Sequence, residues 1–331
     1  MSGKPTAIVT GGAGFIGSHA VDLLVSEGYR VIVVDNLVGG REANLSHHKS
    51  DVTLDTRDIR NIPAADSIFR DVEFIIHYAG IGDIVPSIDK PAEYMSVNVL
   101  GTVAALEGAR HGKVKKFVYA ASSSCYGAQA PTPTPETAPI SPQYPYALSK
   151  YQGEQAVFHW HSVYKLPVNS IRIFNAYGTR SRTSGAYGAV FGVFLKQKLA
   201  GKPFTLVGDG TQRRDFIYAS DVARAFYLAA KTPLSGEVFN VGAGNPQSVN
   251  RLVELLGGGR VEHLPKRPGE PDCTWADISK IQTKLRWQPQ VSFEAGVKMI
   301  LDNIDYWQEA PLWDKDSIKA ATDGWFAALG E

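Results

Sequence analysis

Tyr146 and Lys150 stand four positions apart in Tyr-Ala-Leu-Ser-Lys, directly after Pro145. On a helix such positions share a face, so a phenol and an ammonium would point into one site. An unperturbed phenol ionises near pH ~10, too high for a base at neutral pH. A lysine charge at ~4 Å in a partly screened site favours the phenolate by up to ~4 kcal/mol before desolvation. That pairing suits Tyr146 to general acid/base work. Earlier in the chain, Lys116 to Ala121 runs into Ser122-Ser123-Ser124-Cys125-Tyr126-Gly127. A serine hydroxyl at the end of that strand could hold a substrate oxygen during proton transfer. Alone, the Tyr-Lys pair would look the same on an exposed helix, so its weight depends on its surroundings.

The second chemical feature is Thr10-Gly11-Gly12-Ala13-Gly14-Phe15-Ile16-Gly17, between a first strand and a first helix. Gly11 permits a sharp turn, Gly14 lets a pyrophosphate approach the backbone, and Gly17 lets the helix lie close to the sheet. The helix N-terminus offers unpaired N–H groups and a positive dipole end to phosphates. The next strand ends in Val-Ile-Val-Val-Asp35-Asn36, placing a carboxylate where it can accept from an adenosine ribose diol. Asp35 repels a 2′-phosphate, so NAD is expected over NADP. A third feature is a pair of cations, Arg214 and Arg267, in the second half. Each could be an ordinary surface ion pair; together they could offer a pyrophosphate two bidentate guanidinium partners.

The elements that must position these residues follow from pattern. Strands are expected at Ala7 to Thr10, Arg30 to Asp35, Val52 to Leu54, Val72 to His77, Lys116 to Ser122 and Val168 to Phe174. Helices are expected at Phe15 to Glu27, Ala92 to His111 and Tyr146 to Tyr164. Several strands are apolar without alternation, as in parallel sheets covered on both faces. Alternating strand and helix implies an α/β, doubly wound parallel sheet of the Rossmann type. After about Tyr177 the loops grow richer in Gly, Ser and Arg, with helices at Asp221 to Lys231 and Val249 to Leu256. The expected division is 1–177 for NAD and 178–331 as a smaller α/β substrate domain, with segments exchanged between them. A terminal amphipathic helix carrying Ile318, Trp325, Phe326 and Leu329 should pack on its own domain or a sister subunit.

Composition narrows the partners. Across 331 residues, 34 Lys plus Arg balance 33 Asp plus Glu to a charge of +1, which removes the electrostatic footprint of a general nucleic-acid binder. Hydrophobic residues at 44% can fill a sizeable core. Two cysteines, Cys125 and Cys273, cannot build a disulfide framework or a four-thiolate site, and no metal is expected. No secretory signal and no run of ~18 apolar residues is visible. A cytoplasmic protein with small-molecule partners and no membrane is the expectation.

With these motifs in place, the chain resembles an extended short-chain dehydrogenase/reductase of the NAD-dependent nucleotide-sugar epimerase/dehydratase group. The resemblance is carried by TGGAGFIGS at 10–18, VVDNL at 33–37, YAASSSCYG at 119–127, YALSK at 146–150, RIFNAYG at 172–178, GDGTQRRDFIYASDVA at 208–223 and RPGEPDCTWADISK at 267–280. It spans about residues 5 to 305. It implies Ser122, Tyr146 and Lys150 as the catalytic set, and Gly11, Gly14, Phe15, Ile16, Asp35 and Asn36 around NAD. It also implies Asp58 and Ile59 at the adenine, and Ala79 and Gly80 along the cofactor. For the nucleotide sugar it implies Arg214 and Arg267 on the pyrophosphate, Asn175 nearby, Glu270 on the ribose, and Ala189 and Val190 along the base. Ser87, Ser123 and Thr274 are implied at the sugar. A homodimer with the nucleotide sugar as substrate is implied too, through helices near 92–111 and 146–165, with Ala104, Ala105, Val157 and Phe158 as contacts.

Local residues separate the chemistries of this family. Its 4,6-dehydratases carry an Asp-Glu pair where this chain has Ser123 and Ser124, and its decarboxylases carry a glutamate there. In its base-catalysed 3,5-epimerases a cysteine lies two residues before the strand-end tyrosine; Cys125 lies one before Tyr126, pointing to the other face as buried structure. The resemblance therefore implies 4-epimerisation of a UDP-hexose or UDP-N-acetylhexosamine, with Thr274 hinting at room for a 2-acetamido group. A deoxysugar-nucleotide reductase or 2-epimerase, and a non-catalytic NAD-binding regulator, are the alternatives. Neither the sugar, the role of Asp83 nor that of 311–331 is fixed.

Overall fold

The computed structural model describes residues 4–48, 50–181 and 190–330. Seven parallel strands form one sheet in the spatial order Glu237–Val241, Val168–Ile173, Lys116–Ser122, Val72–His77, Thr6–Thr10, Arg30–Val34 and Val52–Asp55. The inner strands are buried along nearly their whole length, the reason they lack alternation. From Thr6–Thr10 the order runs one way through Arg30–Val34 and the other way through Val72–His77. Between these diverging halves a crevice opens at the C-terminal strand ends, where open α/β sheets place ligands.

Helices cover both faces. Phe15–Ser26 and Ala219–Lys231 share one apolar layer, in which Val21 and Leu24 meet Val222, Ala225 and Phe226. Pro145–Tyr164 and Gly101–His111 lie on the other. The single helix expected over Ala92 to His111 is three pieces: Pro91–Tyr94, a wider π turn over Met95–Leu100, and Gly101–His111. The π turn carries the buried Asn98 toward the crevice. Ala105 and Val157, expected at a subunit contact, are wholly buried in this chain's own core beside Leu106 and Tyr119. Their small and branched side chains let the two helices close on each other and on the sheet.

Strand Glu237–Val241 and helix Ala219–Lys231 come from the second half of the sequence yet complete the first half's sheet. The rest of that half is built from short pairs: Phe204–Val207 with Val261–Leu264, Phe216–Tyr218 with Asn175–Tyr177, and Arg213–Arg214 with Gln247–Ser248. A separate core, rich in aromatic rings, joins them: Tyr177 stacks on Phe191 and Phe216 on Phe293, the two pairs meeting edge-on, and Trp307 and Trp325 are buried with them. The tail forms the helix Lys315–Leu329, started by a reciprocal Asp314–Ser317 cap, with Ile318 and Trp325 buried against its own chain. Among the described residues no helix is long and apolar enough to cross a membrane.

Candidate functional site

The glycine turn leaves the first strand at the crevice. Gly11 has φ of +69°, and a β-carbon there would lie 2.8 Å from the Ala79 amide nitrogen, so the turn and the loop after Val72–His77 touch backbone to backbone. At Gly17 a β-carbon would fall 2.1 Å from the Gly11 carbonyl oxygen, which is why the helix can begin so close to the strand. Gly14 is the N-cap and no side chain caps the helix, so the first-turn N–H groups at Phe15 and Ile16 receive no side-chain partner from the cap. Asp35 is buried, accepting from the Ala13 and Leu37 amides at 2.9 Å each. Burial raises its pKa, against those amide bonds. Asn36 donates to Asp58 at 3.0 Å, and Arg60 holds the Asp58 carboxyl down at about 2. Ile59 is buried beside them. Asp35, Asn36, Asp58 and Ile59 thus line the ends of two neighbouring strands, with the glycine turn and Ala79-Gly80 on the third side.

Ser122 ends its strand and N-caps a short turn over Ser123–Tyr126. Its Oγ lies 2.8 Å from Ser124 Oγ, and this turn packs against the helix that follows. The helix begins at Pro145, so Tyr146 stands in its first turn and Lys150 one turn on. Lys150 is buried, its Nζ 4.6 Å above the Tyr119 ring, and burial brings its pKa down to about 8 while Glu154 opposes the shift. Sequence reasoning expected Lys150 to draw Tyr146 toward ionisation. Instead burial dominates and raises the Tyr146 pKa; the Ser122 hydroxyl lowers it and the nearby Asp83 charge raises it again. That gives Asp83, unassigned from sequence, a place in the electrostatics of Tyr146. Cys125 is buried with Tyr126, Ala138 and Phe174, and burial pushes its thiol up to about 12.

The residues expected at the nucleotide form a second cluster. Glu270 is gripped from both sides, by Arg267 Nη1 at 2.7 Å and Arg214 Nη2 at 3.4 Å. Arg214 also donates to the Pro271 carbonyl at 2.9 Å. Two guanidiniums thus converge on one partly buried carboxylate. Thr274 Oγ1 donates to Asn175 Oδ1 at 2.6 Å and accepts from the Asp215 amide at 3.1 Å, so this hydroxyl braces the loop. Ser123 and Thr274 border one small crevice with Phe174 and Cys273. Ser87 is fully buried and donates to the Ile84 carbonyl at 2.7 Å, which leaves its oxygen only as an acceptor. Val190 opens the helix Val190–Leu199, while Phe191 beside it stacks on Tyr177 in the core. Ala189 lies outside the described residues.

Four supporting residues escaped the sequence reading. Asn98 bonds Ile81 through both its amide groups and donates to Ser149 at 2.9 Å, fixing the loop after Gly80 to the Tyr146 helix. An amide inside the apolar run Ser-Val-Asn-Val-Leu was its one visible signal. Asp215 is wholly buried and accepts from the Ala243, Gly244 and Ala276 amides. Glu154 and Arg172 form a buried pair at 2.6 Å beneath Lys150. Such long-range partners have no spacing to reveal them. Elsewhere, His47 and His48 each approach Asp22 Oδ1 at 2.8 Å, and Arg180 holds its other oxygen. These three could gather a cation, their ligand atoms lying within 4.8 Å of one another, but Asp22 is already neutralised by Arg180.

The chain is similar to known proteins in sequence and fold. Residues 7–242 match the model of the NAD dependent epimerase/dehydratase family. The UDP-glucuronate 4-epimerase of Thermodesulfobacterium geofontis is 33% identical over 327 residues, 94% of this chain and 97% of the relative. The structure of UDP-glucose 4-epimerase from Thermotoga maritima with UDP-glucose superposes with a TM-score of 0.85 at 34% identity, covering 91% of this chain and 99% of that one. UDP-N-acetylglucosamine 4-epimerase from Methanobrevibacter ruminantium, in complex with UDP-N-acetylmuramic acid, also gives 0.85, at 30% identity over 92% of this chain and 100% of that one. With the glycine turn, the sheet and the strand-end serine all inside the matched span, the chain belongs to the NAD dependent epimerase/dehydratase family.

Proposed function

We propose that this protein is an NAD-dependent 4-epimerase of a UDP-hexose, its N-acetylated form included. The observation that carries the reading is Ser122 at the sheet's C-terminal edge, packed against the helix that bears Tyr146 and Lys150 and followed by Ser123 and Ser124 rather than carboxylates. Relatives named as 4-epimerases of UDP-glucose, UDP-glucuronate and UDP-N-acetylglucosamine support it. The residues fit NAD: the turn at Gly11 and Gly14 has no side chain to obstruct a pyrophosphate, and Phe15 and Ile16 open an uncapped helix N-terminus. Asp35 keeps acceptor capacity for a ribose beyond its two amide bonds, with Asn36, Asp58 and Ile59 at the adenine and Ala79-Gly80 along the cofactor. When bound, NAD supplies a hydride acceptor at the sugar's C4 that returns the hydride within the same cycle.

The chain's own residues manage the proton and the orientation. Tyr146 takes the proton of the sugar 4-hydroxyl and returns it, Ser122 holds that oxygen, and Lys150 lends positive charge from the same helix face. Arg214 and Arg267 exchange Glu270 for the substrate's pyrophosphate, freeing that carboxylate for the ribose, with Asn175 nearby. Val190 and Ala189 run along the base, while Ser87, Ser123 and Thr274 bound the sugar. In this division residues 1–177 serve the cofactor and 178–331 the nucleotide sugar, with Ala219–Lys231 and Glu237–Val241 lent back to the sheet. A cytoplasmic homodimer fits the exposed Leu100, Leu148, Val163 and Tyr164 on the helices expected to pair.

Incubation with UDP-glucose, UDP-N-acetylglucosamine and UDP-glucuronate, followed by NMR, should show C4 inversion of at least one without net NADH. No inversion of any would overturn the assignment. Tyr146→Phe should lower kcat by at least about 10²-fold while bound NAD stays, as expected for a lost acid/base group. Full activity in that variant would remove Tyr146 from the mechanism.

A further inference from the structure

The helix Lys315–Leu329 lies beyond the stretch that resembles the family, which ends near residue 305, yet it sits against the site. Its start is locally fixed: Asp314 accepts from the Ser317 amide, and Ser317 Oγ accepts from the Asp314 amide, both at 2.9 Å. Ile318, Thr322 and Trp325, at spacings of four and three, are the buried stripe. Trp325 makes two contacts that matter for the site. Its indole N–H donates to the Pro268 carbonyl at 3.0 Å, inside the turn from Arg267 to Glu270. Its ring lies 5.0 Å from that of Tyr144, which in turn is nearly parallel to Tyr146, 6.4 Å away with 10° between planes. Further along, Leu329 lies against Gly269, and the helix backbone at Gly324 comes so close to Asp89 that a β-carbon would lie 2.8 Å from its carboxylate.

One helix face therefore meets three segments: the loop carrying Ser87, the residue two before Tyr146, and the turn between Arg267 and Glu270. Among the described residues, none of these contacts reaches the glycine turn, Asp35 or Ala79-Gly80. We propose that this C-terminal helix is a positioning element for the nucleotide-sugar end, with Trp325 as the clamp that sets the Arg267–Glu270 turn against Tyr144. Trp325 is itself buried; its role is to fix where Arg267 presents its guanidinium. This role rests on the proposed binding of a nucleoside-diphosphate sugar between Arg214 and Arg267.

The test uses the full-length protein and two variants. Trp325→Phe keeps an aromatic ring beside Tyr144 but loses the bond to Pro268; Trp325→Leu loses both. UDP affinity by titration calorimetry is measured beside KM, kcat and NAD content. Trp325→Phe should weaken UDP binding and raise KM about three- to tenfold, the range of one hydrogen bond, with kcat within twofold and NAD content unchanged. Trp325→Leu should weaken UDP binding further and also lower kcat, because Tyr144 loses its support. Unchanged UDP affinity and KM in Trp325→Phe would overturn the proposal, whether or not Trp325→Leu folds. So would a parallel loss of NAD and UDP, which would mark a general structural role. Wild-type protein that binds no UDP and turns over no UDP-sugar would instead defeat the functional reading beneath it.

Discussion

At the cofactor end, Ala13 and Asp35 are 22 residues apart and joined by one hydrogen bond, inside a single strand–turn–helix–strand unit. At the nucleotide end, Arg214 and Glu270 meet across 56 residues, Thr274 and Asn175 across 99, and Trp325 and Pro268 across 57. The first end takes its shape from steric rules that act between neighbours: a positive φ at Gly11 and missing β-carbons at Gly11 and Gly17. The second is assembled from loops whose mutual positions depend on a few buried polar groups. A site with one rigid side and one assembled side can keep its cofactor through each cycle while its other side adapts to differing sugars. It also predicts that damage to the two ends separates.

Asp215 offers the largest such separation. It is wholly buried, and its carboxylate accepts three backbone amides from the segments that carry Thr274 and the loop after Glu237–Val241. Asp215→Ala leaves these donors without their acceptor, which should lower unfolding stability by about 3–5 kcal/mol. Denaturant unfolding reads the stability. Under native conditions UDP affinity should fall by more than tenfold while purified protein retains NAD. If NAD is lost in step with UDP, the two ends are not independently built.

Arg267→Ala is the next in size. If the pair holds a pyrophosphate as proposed, removing one guanidinium costs about 1.5–3 kcal/mol, the range of a hydrogen bond to a charged group. KM for the UDP-sugar should then rise about ten- to hundredfold, with kcat little changed and NAD content intact. A fall in kcat alone would place Arg267 at the chemistry rather than at the phosphates.

The same contrast governs what could be read from sequence. Every first-half strand of the main sheet was legible to within a residue or so, because buried parallel strands are written largely as apolar runs, whereas the short Asn175–Tyr177 strand outside it was not. The glycine turn and the Tyr146–Lys150 pair were legible because their chemistry depends on short spacings. The break in the helix over Ala92 to His111 was not, since a π turn around Asn98 repays its poorer geometry only through the contacts with Ile81 and Ser149. Nor was the raised pKa of Tyr146, because spacing predicts a charge nearby but not the burial that outweighs it. Arg214, Arg267 and Glu270 were visible through resemblance, yet their mutual grip and its link to Trp325 belong to tertiary structure alone.

The smallest expected effect concerns a residue placed by the rigid side. Cys125 directly precedes Tyr126 in the turn after Ser122, and its side chain turns inward toward Ala138 and Phe174. Burial holds the thiol near 12, so at pH 8 only about one molecule in ten thousand would carry the thiolate. A base or nucleophile needs that thiolate; a packing residue does not. Cys125→Ala should therefore leave turnover within about twofold and lower stability by about 1 kcal/mol, the loss of a small buried group. Iodoacetamide applied to the folded protein at pH 8 should modify Cys273, which is partly exposed, and spare Cys125. Peptide mass spectrometry distinguishes the two sites. A carboxamidomethylated Cys125, or a tenfold loss of turnover in the alanine variant, would mean that the strand end opens far enough to bring this thiol into the crevice, and the rigid side would no longer be rigid.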